Sequence, residues 1–141
     1  MRASAVSITV GRGVLAAGAV LWLVVLLALP AAVFPLGHFI CHQRPERSFF
    51  LYGEQLPVCA RCTGLYAGAA LAAPLALLSA VSLTRARARR VLILCALPTA
   101  VTWTLEFSGV LPFSNVSRCI AALPLGFAAA WLVLNLLHGV E

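Results

Sequence analysis

The chain has 141 residues, 62% apolar and 10% charged, where soluble domains run near ~45–50% and ~25%. A domain this small cannot hide that much apolar surface from water, which excludes a soluble globule and points to a single-domain integral membrane protein. The net charge of +6 rests on arginines alone, set in short segments between apolar runs. No basic stripe with interleaved aromatics is present, so a nucleic-acid partner is excluded and the lipid bilayer is the expected environment.

Four apolar segments follow in chain order, at about 14–34, 63–83, 91–110 and 119–137. Each is roughly 19–21 residues long, enough to cross a hydrocarbon core of ~30 Å, and backbone satisfaction in lipid requires helices there. The expected fold is therefore all-α, a polytopic bundle of four transmembrane helices with a polar Cys/His loop at 35–62.

The first segment follows Arg2 and Arg12 and is closed by Pro35 and Gly37. Its apolar run is long for a cleaved leader and no clean A-x-A site follows, so a retained span is expected. The second segment opens "TGLYAGAALAAP", where Gly64 and Gly68 form G-x-x-x-G, continued by Ala72 and Ala76. Small residues at that spacing let helix backbones approach closely in lipid, and packing inside the bundle is expected over dimerisation. "TRARARR" then carries Arg85, Arg87, Arg89 and Arg90 to the third segment. With Arg2 and Arg12 these set the orientation: multi-pass in the plasma membrane, both termini cytoplasmic, the Cys/His loop extracytoplasmic. Pro74, Pro98 and Pro124 lie within the second, third and fourth spans, where they kink helices. His138 and Glu141 read as tail residues, and nothing in the sequence sets the oligomeric state.

Chemistry concentrates in "CHQRPERSFFLYGEQLPVCARCTG", residues 41–64. Cys41-His42, sixteen residues, then Cys59-x-x-Cys62 supplies four soft or borderline ligands in the pattern of a two-knuckle tetrahedral site, with Zn²⁺ the expected ion. His38 is a substitute ligand. Pro57 prepares a helix start at the C-x-x-C, where the backbone dipole acidifies thiols. Acidified thiols serve redox chemistry equally well, with Cys59 and Cys62 exchanging and Cys41 or Cys119 relaying. A plain structural disulfide is the third reading.

Glu46 and Arg47, in "RPERS", read either as a solvated loop or as part of a site. Glu106 lies about four residues, roughly 6 Å, inside the third span, a costly depth for a carboxylate that faces neither water nor a partner. Arg118, Arg47 or a metal would serve as that partner. Arg118 opens the fourth segment, where the helix dipole disfavours a cation, and so calls for an anionic neighbour. Ser114 and Asn115 are N-cap candidates for that segment. Asn115-Val116-Ser117 is formally a glycosylation sequon, set too near the membrane for that use. Cys95 reads as a small buried hydrophobe.

"CHQRPERSFF" and "LPVCARCTGLYAG" resemble the bacterial and archaeal membrane proteins grouped as domain-of-unknown-function family 2085. The resemblance is tight over 41–68 and weaker over 98–126. It implies a small multi-helix membrane protein and names no reaction. The motif positions carried over are Cys41, His42, Gln43, Pro45, Glu46, Arg47, Ser48, Cys59, Arg61, Cys62, Thr63 and Gly64, with Glu106, Asn115 and Arg118 in the second region.

The residues thus lead to three expectations. The first is a metal centre on Cys41, His42, Cys59 and Cys62, either structural or catalytic. In the catalytic form Glu46 or Glu106 is the base, and Arg47, Arg61 and Arg118 receive a small anionic or lipid-phosphate substrate. The second is a membrane thiol–disulfide oxidoreductase with a quinone-like acceptor. The third is a scaffold or small transport component without turnover.

Overall fold

A computed structural model describes residues 2–79, 81 and 83–136, with side chains from Ile8 onward; His138 and Glu141 lie outside the described residues. In order, the elements are α1 (Arg2–Ala28), α2 (Pro30–Gly37), a 3₁₀ turn (Pro45–Arg47), β1 (Ser48–Leu51), β2 (Glu54–Cys59), α3 (Ala60–Leu78), α4 (Arg85–Phe107) and α5 (Asn115–Leu136). Among the described residues four helices are long and apolar enough to span a membrane: Ile8–Ala28, Ala60–Leu78, Arg85–Phe107 and Asn115–Leu136. At 1.5 Å per residue they are about 28–35 Å long, matching a bilayer core.

The bundle is built around α3 and α5, whose backbones touch. A Cβ on Gly64 would overlap the Cys119 carbonyl, one on Gly68 the Leu123 carbonyl, and one on Gly126 the Leu65 carbonyl. The G-x-x-x-G of α3 therefore packs inside the chain, with Gly126 answering it from α5. Both helices start at the same end. α1 lies against α3 through Ala16, Ala73 and Ala76, with Leu134 of α5 in the same cluster. α4 leans mainly on α5, joined partway along by a hydrogen bond from Thr99 Oγ1 to the Ala121 carbonyl at 2.8 Å. No residue of α4 is buried, so its Ile93, Leu94, Leu97 and Val101 face outward, as lipid-facing side chains do.

The spans lie several residues from their expected limits, each for a local reason. α1 begins well before residue 14 and contains Arg12, which is buried and donates from Nη2 to the Ala76 carbonyl at 2.8 Å. A C-terminal helix carbonyl is a favourable partner for a cation, so this arginine sits within the helix instead of preceding it. The break falls at Leu29–Pro30, where the proline ring removes a donor; α2 runs through Pro35 and stops at Gly37. Leu78 ends α3 short of residue 83. The arginine run lies in the first turns of α4, because Thr84 caps that helix and accepts from the Arg87 N–H. Gly109, at φ +72°, follows its end. Ser114 caps α5, its Oγ accepting from the Ser117 N–H at 3.1 Å, so the helix begins at Asn115.

The 35–62 segment carries an unexpected two-stranded antiparallel hairpin, pairing Ser48 with Cys59, Phe50 with Gln55 and Leu51 with Glu54. Tyr52 and Gly53, at φ +56° and +82°, make the tight turn that matches strand twist. The hairpin lays "RPERS" alongside the C-x-x-C and seats both on the end of the bundle where α3 and α5 start and α4 finishes.

Candidate functional site

Three segments deliver three sulfurs to one place. Gly37 ends α2 so close to β2 that a Cβ would strike the Pro57 carbonyl, and its own carbonyl accepts from the Cys41 N–H at 2.9 Å. Cys59 is the last residue of β2 and stands at the N-cap of α3; Cys62 lies in the first turn. The Sγ atoms of Cys41, Cys59 and Cys62 lie within 4.8 Å of one another. The Cys59 N–H donates to Cys41 Sγ at 3.2 Å, a bond that stabilises negative charge on sulfur. Cys41 and Cys59 are 7% and 8% exposed. A hydrogen bond from the Cys62 thiol lowers the Cys59 thiol to about 5, helped by the Cys62 and Arg61 N–H groups and opposed by burial.

His42 is exposed and stands outside this sulfur group, but it lines the same cavity as Cys59 and Cys62. His38, also exposed, caps the C-terminus of α2 and does not join the group. Nor do Cys95, on α4, and Cys119, in the first turns of α5.

A buried amide holds the segments together. Gln43 sits at φ +46° and donates from Nε2 to the Phe34 carbonyl at 2.7 Å and the Pro57 carbonyl at 2.9 Å. Gln55 Nε2 returns a bond to the Gln43 carbonyl at 2.7 Å and reaches Ser48 Oγ at 3.2 Å. Asn115 Nδ2 donates to the Ser48 carbonyl at 2.9 Å, tying the start of α5 to the hairpin. Sequence reasoning passed over the structural work of Gln43 and Gln55. The available signal was a Gln beside the Cys-His pair and another in a strand, polar groups that must find partners once buried.

The second half of the site centres on Glu106. Arg61 Nη2 donates to its Oε2 at 2.7 Å, Arg118 binds both carboxylate oxygens, with Nε to Oε2 at 3.2 Å and Nη2 to Oε1, and Arg47 stands 3.8 Å away. Arg118 also donates from Nη1 to Asn115 Oδ1 at 2.6 Å and to the Glu46 carbonyl at 3.4 Å. The partners expected for Glu106 from the sequence, Arg118 and Arg47, are thus present, and Arg61 of the C-x-R-C joins them. Glu46 meets this network through its backbone, with its residue exposed to solvent.

The two halves face each other across a cavity of about 190 Å³ lined by His42, Arg47, Cys59, Arg61, Cys62, Trp103 and Arg118. One wall is thiol, the other guanidinium. Arg85, Arg87, Arg89 and Arg90 lie at the far end of α4.

Four membrane-length helices with a polar, cysteine-bearing site gathered at one end define a small polytopic membrane protein. The chain belongs to the family described as predicted membrane protein (DUF2085), whose profile matches residues 41–132, from Cys41 of the hairpin segment into α5. It is 38% identical over 100 residues to an uncharacterised protein of Methanothermobacter thermautotrophicus, covering 71% of this chain and 89% of that one. It is 32% identical over 96 residues to an uncharacterised protein of Methanocaldococcus jannaschii, covering 67% of this chain and 62% of that one. No solved structure matches the chain.

Proposed function

We propose that the protein is a membrane-embedded metal centre in which Cys41, Cys59 and Cys62 hold one Zn²⁺ through thiolates. The observation that carries this reading is the convergence of three sulfurs from three segments of chain within 4.8 Å. Tetrahedral zinc thiolates at 2.3 Å place sulfurs about 3.8 Å apart, so small χ1 rotations complete the set. A disulfide needs two sulfurs and leaves the third unexplained. The fourth position opens on the cavity that His42 lines. His42 closes the site as a structural ligand, or a water takes the position and makes it a Lewis-acid centre. In the second case the basic wall selects an anionic substrate. Glu106, bound by Arg61 and Arg118, then positions those arginines rather than accepting a proton. The orientation proposed is N-in and C-in with the site extracytoplasmic. It is supported by the arginine run at the opposite end of the bundle, while three arginines beside the site are engaged by Glu106.

Elemental analysis of the detergent-purified chain beside a Cys59→Ala/Cys62→Ala variant, with free thiols counted on the same samples, is the test. One zinc per chain that disappears in the variant is the expected result. A wild-type protein without stoichiometric metal, with or without reductant, sinks the reading.

The acidic Cys59 favours a second reading, thiol–disulfide exchange. There the Cys59 thiolate and Cys62 thiol close to a disulfide and give two electrons and one proton to a quinone-type acceptor, which takes its second proton from water. Alkylation in intact cells decides it: if Cys59 and Cys62 never change oxidation state, this reading fails.

A further inference from the structure

The basic wall carries more charge than its carboxylate balances. Arg47, Arg61 and Arg118 surround the single Glu106, leaving a surplus of two positive charges. Glu106 is 11% exposed and Arg118 and Arg61 are 11% and 15% exposed, so water screens this surplus poorly. Three thiolates around a divalent ion would add only one negative charge from the opposite wall. The cavity stays positive with the metal bound.

The donors are also unequally engaged. Arg118 spends Nε, Nη1 and Nη2 on Glu106, Asn115 and the Glu46 carbonyl. Arg61 gives Nη2 to Glu106, while its Nε is buried without a hydrogen-bond partner among the described residues. Arg47 stands off at 3.8 Å and is 35% exposed. Among the described residues, Arg61 and Arg47 are thus the guanidiniums on the cavity wall with the least donor capacity committed to protein partners. An oxygen-rich anion in the cavity would accept from the Arg61 guanidinium and draw in Arg47, in the geometry guanidinium forks favour.

We propose that this cavity binds a phosphate group, held by Arg61 and Arg47 with Arg118 and Glu106 as their fixed support. A phosphate monoester carries about −1.5 to −2 charges at neutral pH, enough to offset the positive charge of the basic wall. The cavity, at about 190 Å³, is smaller than the ~300–1,000 Å³ of sites that enclose a drug-sized ligand. It therefore takes a head and leaves any tail outside. Trp103 forms part of the lip and stacks on Phe107 at 5.2 Å, and both are exposed. Tryptophan side chains are enriched at the headgroup level of a bilayer. The phosphate thus comes either from a lipid headgroup entering past Trp103 or from solution. This deepens the reading of the cavity as a site for an anion beside the metal and rests on it for the location.

Binding is measured on the full chain in phosphatidylcholine nanodiscs with and without phosphatidate, and in detergent with inorganic phosphate. Zinc content is determined on the same samples, so that loss of metal and loss of anion binding are scored separately. Wild-type protein is expected to bind phosphatidate, inorganic phosphate or both; phosphatidate alone assigns the lipid source, inorganic phosphate alone the soluble one. Arg47→Gln and Arg61→Gln each weaken binding about 10- to 100-fold. Arg87→Gln, at the far end of α4, leaves it unchanged. Because Arg61→Gln also breaks an ion pair and can impair folding, the more exposed Arg47 provides the variant that keeps its fold. Wild-type protein that binds neither probe, or an Arg47→Gln protein that binds as wild type does, overturns the proposal.

Discussion

Arg61 and Glu106 stand 45 residues apart in the chain and 2.7 Å apart in space. The arginine lies between the two cysteines of the C-x-x-C, and the glutamate lies one residue from the end of α4. Their contact joins the thiol segment to the helix with least support elsewhere.

Glu106→Gln should therefore be among the most damaging single substitutions. It leaves three guanidiniums facing a neutral amide in a part-buried place, and losing charged hydrogen bonds of this kind costs about 1.5–3 kcal/mol. Thermal denaturation in detergent should show a large fall in midpoint. Added inorganic phosphate should recover part of the loss by supplying the missing negative charge. A midpoint equal to that of wild type would show that the ion pairs contribute nothing.

Gln43→Ala removes a donor shared by the Phe34 and Pro57 carbonyls and puts alanine at φ +46°. Leaving buried carbonyls without a partner costs about 1–3 kcal/mol each. The expected outcome is a destabilised hairpin segment, read as faster hydrogen exchange over residues 41–59, with α5 amides beyond its first turn little changed. Uniform exchange across both regions would contradict this local role.

Gly64→Ala and Gly68→Ala each force a methyl group into a carbonyl of α5. Overpacking of this sort costs about 1–3 kcal/mol. Both should lower the detergent unfolding midpoint, whereas Gly18→Ala, whose Cβ would meet nothing within 4 Å, should not. Equal effects at all three positions would argue against the tight α3–α5 contact.

Metal-free, reduced protein should carry a thiolate at Cys59 at neutral pH. Its pKa of about 5 lies below the ordinary thiol value of 9.0. Between those values the unfolded chain holds more protons at this site than the folded one, so stability rises with pH across that window and this contribution is lost as pH falls through about 5. Thiolate ultraviolet absorbance should disappear on acidification through about 5 and be missing at neutral pH in Cys59→Ser. Absorbance that first develops near 9.0 in wild type would contradict an acidic Cys59.

The membrane class and the four spans were legible in the sequence because hydropathy over about 20 residues is a strong signal. The ends were less so. Arg12 reads as a flanking charge, yet a carbonyl 64 residues away accepts it inside the bundle. The arginine run reads as a loop, yet Thr84 draws it into α4. The hairpin was missed because its strands are short and "PERS" and "LPV" interrupt alternation; Tyr52-Gly53 between apolar runs was the local clue. Of the candidate site, the cysteines announced themselves by spacing. The meeting of Arg61 with Glu106 depends on how α3, α4 and α5 align, which no local pattern encodes. His42, adjacent to Cys41, reads as a ligand by neighbourhood; it stands outside the sulfur group and lines the same cavity, a placement that depends on tertiary packing.

No residue of α4 is buried, and among the described residues its side-chain hydrogen bonds to other elements run through Thr99 and Glu106. The carboxylate that orients the arginines is thus also the fastener of this outer helix. Occupancy and assembly are then coupled quantities: whatever draws Arg61 or Arg118 away from Glu106 unbuttons α4 from the bundle, and whatever fills the cavity while leaving those pairs intact tightens it.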